Sequence, residues 1–252
     1  MAGDPALIER FRELVDSCSR LVAFTAAGLS TESGIPDFRS PGTGIWTKIK
    51  PIDFADFVSS EDKRRESWRR VNLDGPMWKA EPNRGHRAVA ELVRCGVCAN
   101  IITQNVDGLH QKSGVPDSKV IELHGNATYA KCLDCGLRYE LEPIVENFQR
   151  DETLPVCDPC GGIIKTATIS FGQSMPEEAM RRSEEETLAG DLFLVVGCSL
   201  TVYPAASFPA IAKRNGAQLV ILNRTPTDLD GIADLVLHME SGPTLGEVVG
   251  VD

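Results

Sequence analysis

An α/β fold is predicted, with a parallel sheet interrupted by a small cysteine-bearing module and a second, partly helical insertion. Three observations carry that expectation. Short apolar runs recur, each stopping at small or polar residues, with helical patterns between them. Two Cys-x-x-Cys pairs fall in one stretch that breaks this pattern. The chain has 252 residues, long for one minimal domain and short for two full-sized ones, so a main core plus a smaller module is expected.

The elements follow in order. Met1 to Arg20 carries Asp4, Glu9, Glu13 and Asp16 among apolar residues, which fits an amphipathic opening helix and no presequence. Leu21-Val22-Ala23-Phe24-Thr25 then reads as a buried strand that stops at Ala26-Ala27-Gly28-Leu29-Ser30. Asn100 to Thr103, Asp191 to Val196 and Gln218 to Leu222 repeat the form, ending at Gln104-Asn105, Gly197-Cys198-Ser199 and Asn223-Arg224-Thr225. Helical patterns cover Gly85 to Cys95 and Pro204 to Arg214. In such sheets ligands bind outside the carboxyl ends of the strands. Between Tyr129 and Thr166 cysteines, prolines and charges mark an inserted module expected to lack an apolar core of its own. A second insertion, helical in part, is expected from Pro41 to Pro82.

Composition narrows the function. The hydrophobic content is 42% and the charged content 25%, as in ordinary globular proteins. No apolar run approaches the roughly 20 residues that a membrane-spanning helix needs, so no membrane association is expected. A net charge of −10 argues against a nucleic-acid partner, since phosphate neutralisation needs clustered cations and Arg64, Arg65, Arg69 and Arg70 form the one local basic cluster. Eight cysteines in a chain without a presequence indicate a reducing compartment, the cytoplasm.

Cys132-Leu133-Asp134-Cys135 and Cys157-Asp158-Pro159-Cys160 are separated by 21 residues, with Gly136, Gly161 and Gly162 placed for tight turns. Four thiolates at one tetrahedral centre describe a closed, structural zinc site with no position open to water. A dithiol redox pair leaves the second Cys-x-x-Cys unexplained. Cys18, Cys95 and Cys98 are expected to be buried bystanders.

The loop Thr25 to Ser30 offers small residues whose backbone N–H groups can approach a pyrophosphate. It lacks the full dinucleotide glycine fingerprint, and no acid follows about 20 residues on, so an ordinary dehydrogenase reading fails; a plain strand-to-helix turn stays open. Ser33-Gly34-Ile35-Pro36-Asp37-Phe38-Arg39-Ser40 then carries functional side chains without periodicity, as functional loops do.

Taken with Thr103-Gln104-Asn105-Val106-Asp107-Gly108-Leu109-His110, Glu122-Leu123-His124-Gly125, Gly197-Cys198-Ser199-Leu200 and Asn223-Arg224-Thr225, these residues resemble the sirtuin family over roughly residues 8 to 249. The resemblance implies a Rossmann-like NAD-binding domain from 1–40, 83–128 and 166–252, a helical insertion at 41–82 and a zinc ribbon at 129–165. It implies NAD-dependent removal of acyl groups, acetyl or longer neutral ones, from protein lysines, giving nicotinamide and O-acyl-ADP-ribose. Protein ADP-ribosyl transfer or NAD hydrolysis is the alternative, because the same cleft activates the same glycosidic bond. A monomer acting on acylated lysine is expected.

Residue by residue, the resemblance gives Ala26, Ala27, Gly28 and Ser30 to the pyrophosphate, with Ala26 where the family has glycine. Ile35 and Asp37 bind the nicotinamide carboxamide, Phe38 shields the sugar cation from returning nicotinamide, and Arg39 steadies the loop. Gln104, Asn105 and Asp107 line the ribose pocket, with Asn105 orienting the ribose or a water as part of the catalytic set. Gly197, Cys198 and Ser199 match a Gly-Thr-Ser, so a thiol replaces a better hydrogen-bonding hydroxyl. Asn223, Arg224 and Thr225 reach the adenosine half. His124 is the general base that takes a proton from the ribose hydroxyls after nicotinamide leaves, a task suited to a neutral imidazole; His86, His110 and His238 read as structural. Ile169, Phe171 and Gly172 pair with the substrate backbone on one side, Leu200 and Val202 on the other. Family members that remove succinyl or malonyl groups carry a Tyr-x-x-Arg pair in the helical insertion; here Ser67-Trp68-Arg69-Arg70 lacks the phenol and retains Arg70, so neutral acyl groups are expected to be preferred.

Overall fold

The structure, a computed structural model, describes residues 4–40, 42 and 44–252; Met1 to Gly3, part of the expected opening helix, and Pro41 and Thr43, part of the expected insertion from 41 to 82, lie outside the described residues. In chain order α1 (Pro5–Ser17), β1 (Leu21–Thr25) and α2 (Ala27–Ser30) lead into α3 (Phe54–Ser59), α4 (Glu61–Arg69) and α5 (Pro76–Lys79). Then come α6 (Arg84–Arg94), β2 (Cys98–Thr103), α7 (Leu109–Lys112), β3 (Val120–Glu122), β4 (Gly125–Cys132), β5 (Arg138–Glu140), α8 (Leu141–Asp151) and β6 (Ile164–Thr168). The chain closes with α9 (Glu177–Ala189), β7 (Leu192–Val196), α10 (Phe208–Arg214), β8 (Gln218–Leu222), β9 (Leu235–Leu237) and α11 (Ser241–Val249).

Six strands form one sheet in the order β3-β2-β1-β7-β8-β9, and every pairing is parallel. Strands β1 and β7 are wholly buried, which is why they read as continuous apolar runs without alternation. Their side chains still alternate between faces. Leu21 and Ala23 of β1 join Leu192 and Leu194 of β7 in a core closed by α1, α6 and α11, whereas Val22, Phe24, Phe193 and Val195 face a second core closed by α10. The strand order reverses between β1 and β7, so the loops after β1, β2, β7 and β8 open on one crevice.

Strand β4 lies between β5 and β6 in a separate antiparallel sheet. The sequence expectation that this module lacks an apolar core of its own holds only in part, because its residues form a core that another segment completes. Leu141, Ile144, Val145 and Phe148 of α8 pack with Ala130, Ile164, Cys132 and Cys157, and Trp68 of α4 completes the cluster. Helix α8 escaped the sequence reading because cysteines and prolines dominate its surroundings, although its own apolar residues recur at helical spacing. Trp68 belongs to the other insertion, so the two inserted segments share one core.

Three arginines of the basic cluster meet carboxylates, Arg65 with Glu61 at 3.0 Å, Arg69 with Glu152 and Arg70 with Glu66, whereas Arg64 donates to the Val58 carbonyl at 2.7 Å. Among the described residues no helix is long and apolar enough to cross a membrane.

Candidate active site

A cleft of about 610 Å³ runs along the carboxyl ends of the strands and reaches the edge of the small sheet. Its floor is backbone. Gly28 N–H donates to the Gly197 carbonyl at 2.9 Å, and a Cβ on Gly28 would stand 2.6 Å from Gly197 Cα. Gly197 has φ +61°, and a Cβ there would stand 2.3 Å from the Leu29 nitrogen. The two loops therefore touch main chain to main chain, and each position requires glycine. Ala26, by contrast, is extended at φ −144° and ψ −172°, a conformation any residue adopts, so the methyl at this family glycine position causes no backbone strain.

Ala26, Ala27 and Gly28 line the cleft with Asp37, Phe38, Arg39, Gln104, Asn105, His124, Gly197, Cys198, Ser199, Asn223, Arg224 and Thr225. Ile169, Phe171, Gly172 and Val202 line it as well. Four residues expected there sit elsewhere. Ser30 is 1% exposed behind the β1 loop, where its hydroxyl donates to Asp107 at 2.7 Å and accepts from the Asn105 amide at 3.0 Å. Asp107 borders a neighbouring hollow, not this cleft. Ile35 lies outside the lining, half-buried, and the Leu200 side chain is packed into the core.

Hydrogen bonding fixes which atoms each side chain presents. Both N–H groups of the Asn105 amide are used inside the protein, by the Ala26 carbonyl at 3.2 Å and by Ser30 at 3.0 Å, so its oxygen is left as the free acceptor. His124 Nδ1 faces the Gln104 carbonyl at 3.2 Å; a carbonyl only accepts, so Nδ1 carries the proton and Nε2 presents its lone pair. Burial and the nearby Arg39 lower the His124 pKa, which keeps the imidazole neutral. Asp107 is raised by burial against bonds from the Leu109 backbone and Ser30. Burial acts to raise Asp37 too, but bonds from the Ser40 hydroxyl and from Ser40 and Arg39 backbone N–H groups outweigh it and hold the carboxyl low.

Cys198 is 3% exposed, and its sulfur accepts from Gln104 Nε2 at 3.1 Å; burial pushes the thiol up, so it stays protonated. Ser199 is exposed and bonds Thr201 at 3.0 Å. The other histidines make contacts within the fold. His86 and His110 are buried edge to face, their centroids 5.4 Å apart, and burial pushes them down to about 3 and about 4. His238 meets Asp230 at 3.3 Å.

Sequence reasoning missed Thr31, Trp46 and Tyr203, which also line the cleft. Trp46 lies 5.0 Å from Phe38 and 5.1 Å from Phe171, under the Arg39 guanidinium at 4.3 Å. It joins the loop after β1 to the segment after β6. A tryptophan beside Gly44 was the available signal.

The sulfurs of Cys132, Cys135, Cys157 and Cys160 all lie within 4.8 Å of one another, with Cys132 and Cys160 at 3.4 Å and Cys135 and Cys157 at 3.6 Å. Four thiolates about 2.3 Å from a tetrahedral zinc stand about 3.8 Å apart, so the group fits the ion and leaves no fifth donor position. Gly136 and Gly161 make the turns at φ +73°, and a Cβ on Gly162 would stand 2.7 Å from the Cys132 sulfur. Of the remaining cysteines Cys98 is buried, but Cys18 is half-buried and Cys95 is exposed, bonding Glu91 at 3.0 Å. The expectation of burial fails for Cys95 because it caps α6 at its solvent end.

The arrangement resembles known proteins throughout its length. Residues 26–204 match the Sir2 family. An NAD-dependent protein deacetylase of Rhodopseudomonas palustris is 52% identical over 96% of both chains. An NAD-dependent protein deacylase of Pyrobaculum aerophilum is 40% identical over 94% of this chain and 92% of its own. A solved Sir2 structure with a p53 peptide and NAD+ superposes with a TM-score of 0.85 at 35% identity, over 96% of this chain and 97% of that chain. Another, Sir2Tm bound to a propionylated peptide, gives 0.84 at 34% identity over the same shares. With residues 26–204 matched to the family and a relative 52% identical over 96% of both chains, the chain belongs to the Sir2 family.

Proposed function

We propose that this protein removes acetyl or longer neutral acyl groups from protein lysines at the expense of NAD, as a monomer in the cytoplasm. The observation that carries the reading is His124, a neutral base held in one tautomer at the meeting point of the nucleotide loops and the peptide segment. Its backbone carbonyl accepts from Ile169 N–H at 2.8 Å, so base and peptide segment are in fixed register. The names of the relatives support the same chemistry. Four thiolates at a metal centre suit a reducing compartment.

When bound, NAD supplies the ribosyl electrophile, with nicotinamide as leaving group. The loop Ala26 to Gly28 and Gly197 receive the pyrophosphate, and Asn223 to Thr225 the adenosine half. Asp37 and Phe38 hold and then shield the nicotinamide end. Asn105 orients the ribose or a water through its free oxygen. His124 Nε2 takes the proton from the ribose hydroxyl. Ile169, Phe171, Gly172 and Val202 take up the substrate backbone as an added strand. Cys132, Cys135, Cys157 and Cys160 would hold a zinc ion that ties the module together, with no coordination position left for the reaction. On this reading residues 129–165 form the metal-binding module, 41–82 the helical insertion, and the rest the nucleotide-binding domain.

Product identity tests the proposal. Incubation of an acetyl-lysine peptide with NAD is expected to give free lysine, nicotinamide and O-acetyl-ADP-ribose in equal amounts. Labelled protein, or free ADP-ribose formed equally well without the acyl peptide, would instead establish the transferase or hydrolase chemistry.

A further inference from the structure

Lys165 is a charged side chain that the chemistry above does not use, and its surroundings are unusual. It lies on β6 with 3% exposure, and among the described residues no carboxylate pairs with it. Its ammonium donates to the Thr168 carbonyl at 2.6 Å and reaches the Thr166 carbonyl at 3.4 Å and the Thr168 hydroxyl at 3.5 Å. The ring of Phe57, from α3, covers it at 5.8 Å. An unpaired buried cation is expensive, and an apolar side chain of similar length would pack there without that cost.

The backbone explains what the cation answers. The ladder between β4 and β6 is regular from Ala130 to Cys132, then breaks, resuming only at Gly125 opposite Thr168. Five steps along β4 face two along β6, and a bulge of this kind bends the strand and leaves main-chain groups without ladder partners. Lys165 donates to Thr166 and Thr168, the two β6 residues that flank that interruption. Directly beyond it the chain enters Ile169 to Gly172, pinned by Ile169 N–H to the His124 carbonyl at 2.8 Å and by Phe54 N–H to the Phe171 carbonyl at 2.8 Å.

We infer that Lys165 is a positioning residue for peptide binding: its ammonium holds the Thr168 carbonyl at the bulge and so sets the angle at which the peptide-pairing segment leaves β6. The role rests on the deacylase reading, since it concerns the strand to which the acyl peptide adds. Strand addition depends on main-chain register, so a small rotation at Thr168 weakens the peptide and leaves the nucleotide loops, which hang from other strands, untouched.

The test is steady-state kinetics of the full-length protein with an acetyl-lysine peptide and NAD, comparing wild type, Lys165→Met and Lys165→Arg. Lys165→Met is expected to raise KM for the peptide about tenfold, the loss of one charge-assisted hydrogen bond, with KM for NAD and zinc content unchanged. Lys165→Arg, which restores a cation and donors, is expected to recover part of that loss. A purely structural lysine would lower Tm and leave the peptide KM where it was, and that result would overturn the inference. If Lys165→Met does not fold, Lys165→Gln carries the same comparison, because it drops the charge and its side chain ends one atom short of the Thr168 carbonyl while a polar end is kept; an unchanged peptide KM in that variant rejects the role. Wild-type protein that turns over no acyl peptide removes the deacylase reading and this inference with it, whereas wild-type turnover with an unmoved variant KM removes the inference alone.

Discussion

Replacing Ser30 with alanine removes one oxygen that three groups share. The hydroxyl donates to Asp107 at 2.7 Å, accepts from Asn105 Nδ2 at 3.0 Å and faces His86 Nε2 at 3.4 Å. Nothing else replaces it at 1% exposure, so a buried carboxylate loses a donor and a buried amide loses an acceptor. Such a loss costs about 2–3 kcal/mol, and at about 2–4 °C per kcal/mol for a domain of this size Tm should fall by about 4–12 °C. The deficit should depend on pH. Burial already raises Asp107, so its ionised form disfavours the folded state above the folded pKa, and that penalty fades as the pH falls through it. Ser30→Ala raises the pKa further, so the Tm gap to wild type should be widest at neutral pH and narrow toward acid. Calorimetry across that range measures both quantities. KM for NAD should rise in parallel, because the Asn105 amide is then held by the Ala26 carbonyl alone. An unchanged Tm with an unchanged KM for NAD would refute the claim that this hydroxyl organises the site.

Three further outcomes are expected. His124→Ala should abolish peptide deacylation while retaining fold and zinc; in wild type, where burial lowers the His124 pKa, the acid limb of kcat/KM should have its midpoint below 6.5, and a midpoint above that value would show an imidazole stabilised as a cation. Cys132→Ser or Cys157→Ser should lower soluble yield, zinc content and Tm together, because metal-binding energy is folding energy in such modules; stable, active, zinc-free protein would remove the metal from the account. Acetyl and longer neutral acyl-lysine peptides should exceed succinyl-lysine peptides in kcat/KM by roughly ten- to a hundredfold, since Arg70 is engaged by Glu66 and by the Lys50 carbonyl at 3.0 Å; a succinyl preference would mean another cation reads the carboxylate.

Much of the nucleotide side was legible because its chemistry is local in sequence. Each loop directly follows an apolar strand, so a run such as Leu21 to Thr25 places the residues after it at the sheet's carboxyl edge. The cysteine quartet was legible from spacing alone. Strand β3 has only three residues and shows no periodicity to read, and it was missed. Ser30 and Leu200 were given to the cleft because their neighbours belong there; which face a residue turns within a tight loop depends on dihedral angles that composition does not encode. The Trp46 cluster joins residues more than a hundred positions apart, and nothing in either segment announces the other.

The main-chain seam between Gly28 and Gly197 also bears on how this protein can change over time. Two residues upstream, Ala26 shows that the same loop accepts a methyl where the backbone is extended. At the seam each glycine blocks side chains at the other, so a substitution on one side finds no room whatever stands opposite, and no paired change restores the fit without parting the loops. Variation in nucleotide binding is thereby channelled away from the contact itself, toward positions such as Cys198 whose side chains can be exchanged while the backbone path stays the same.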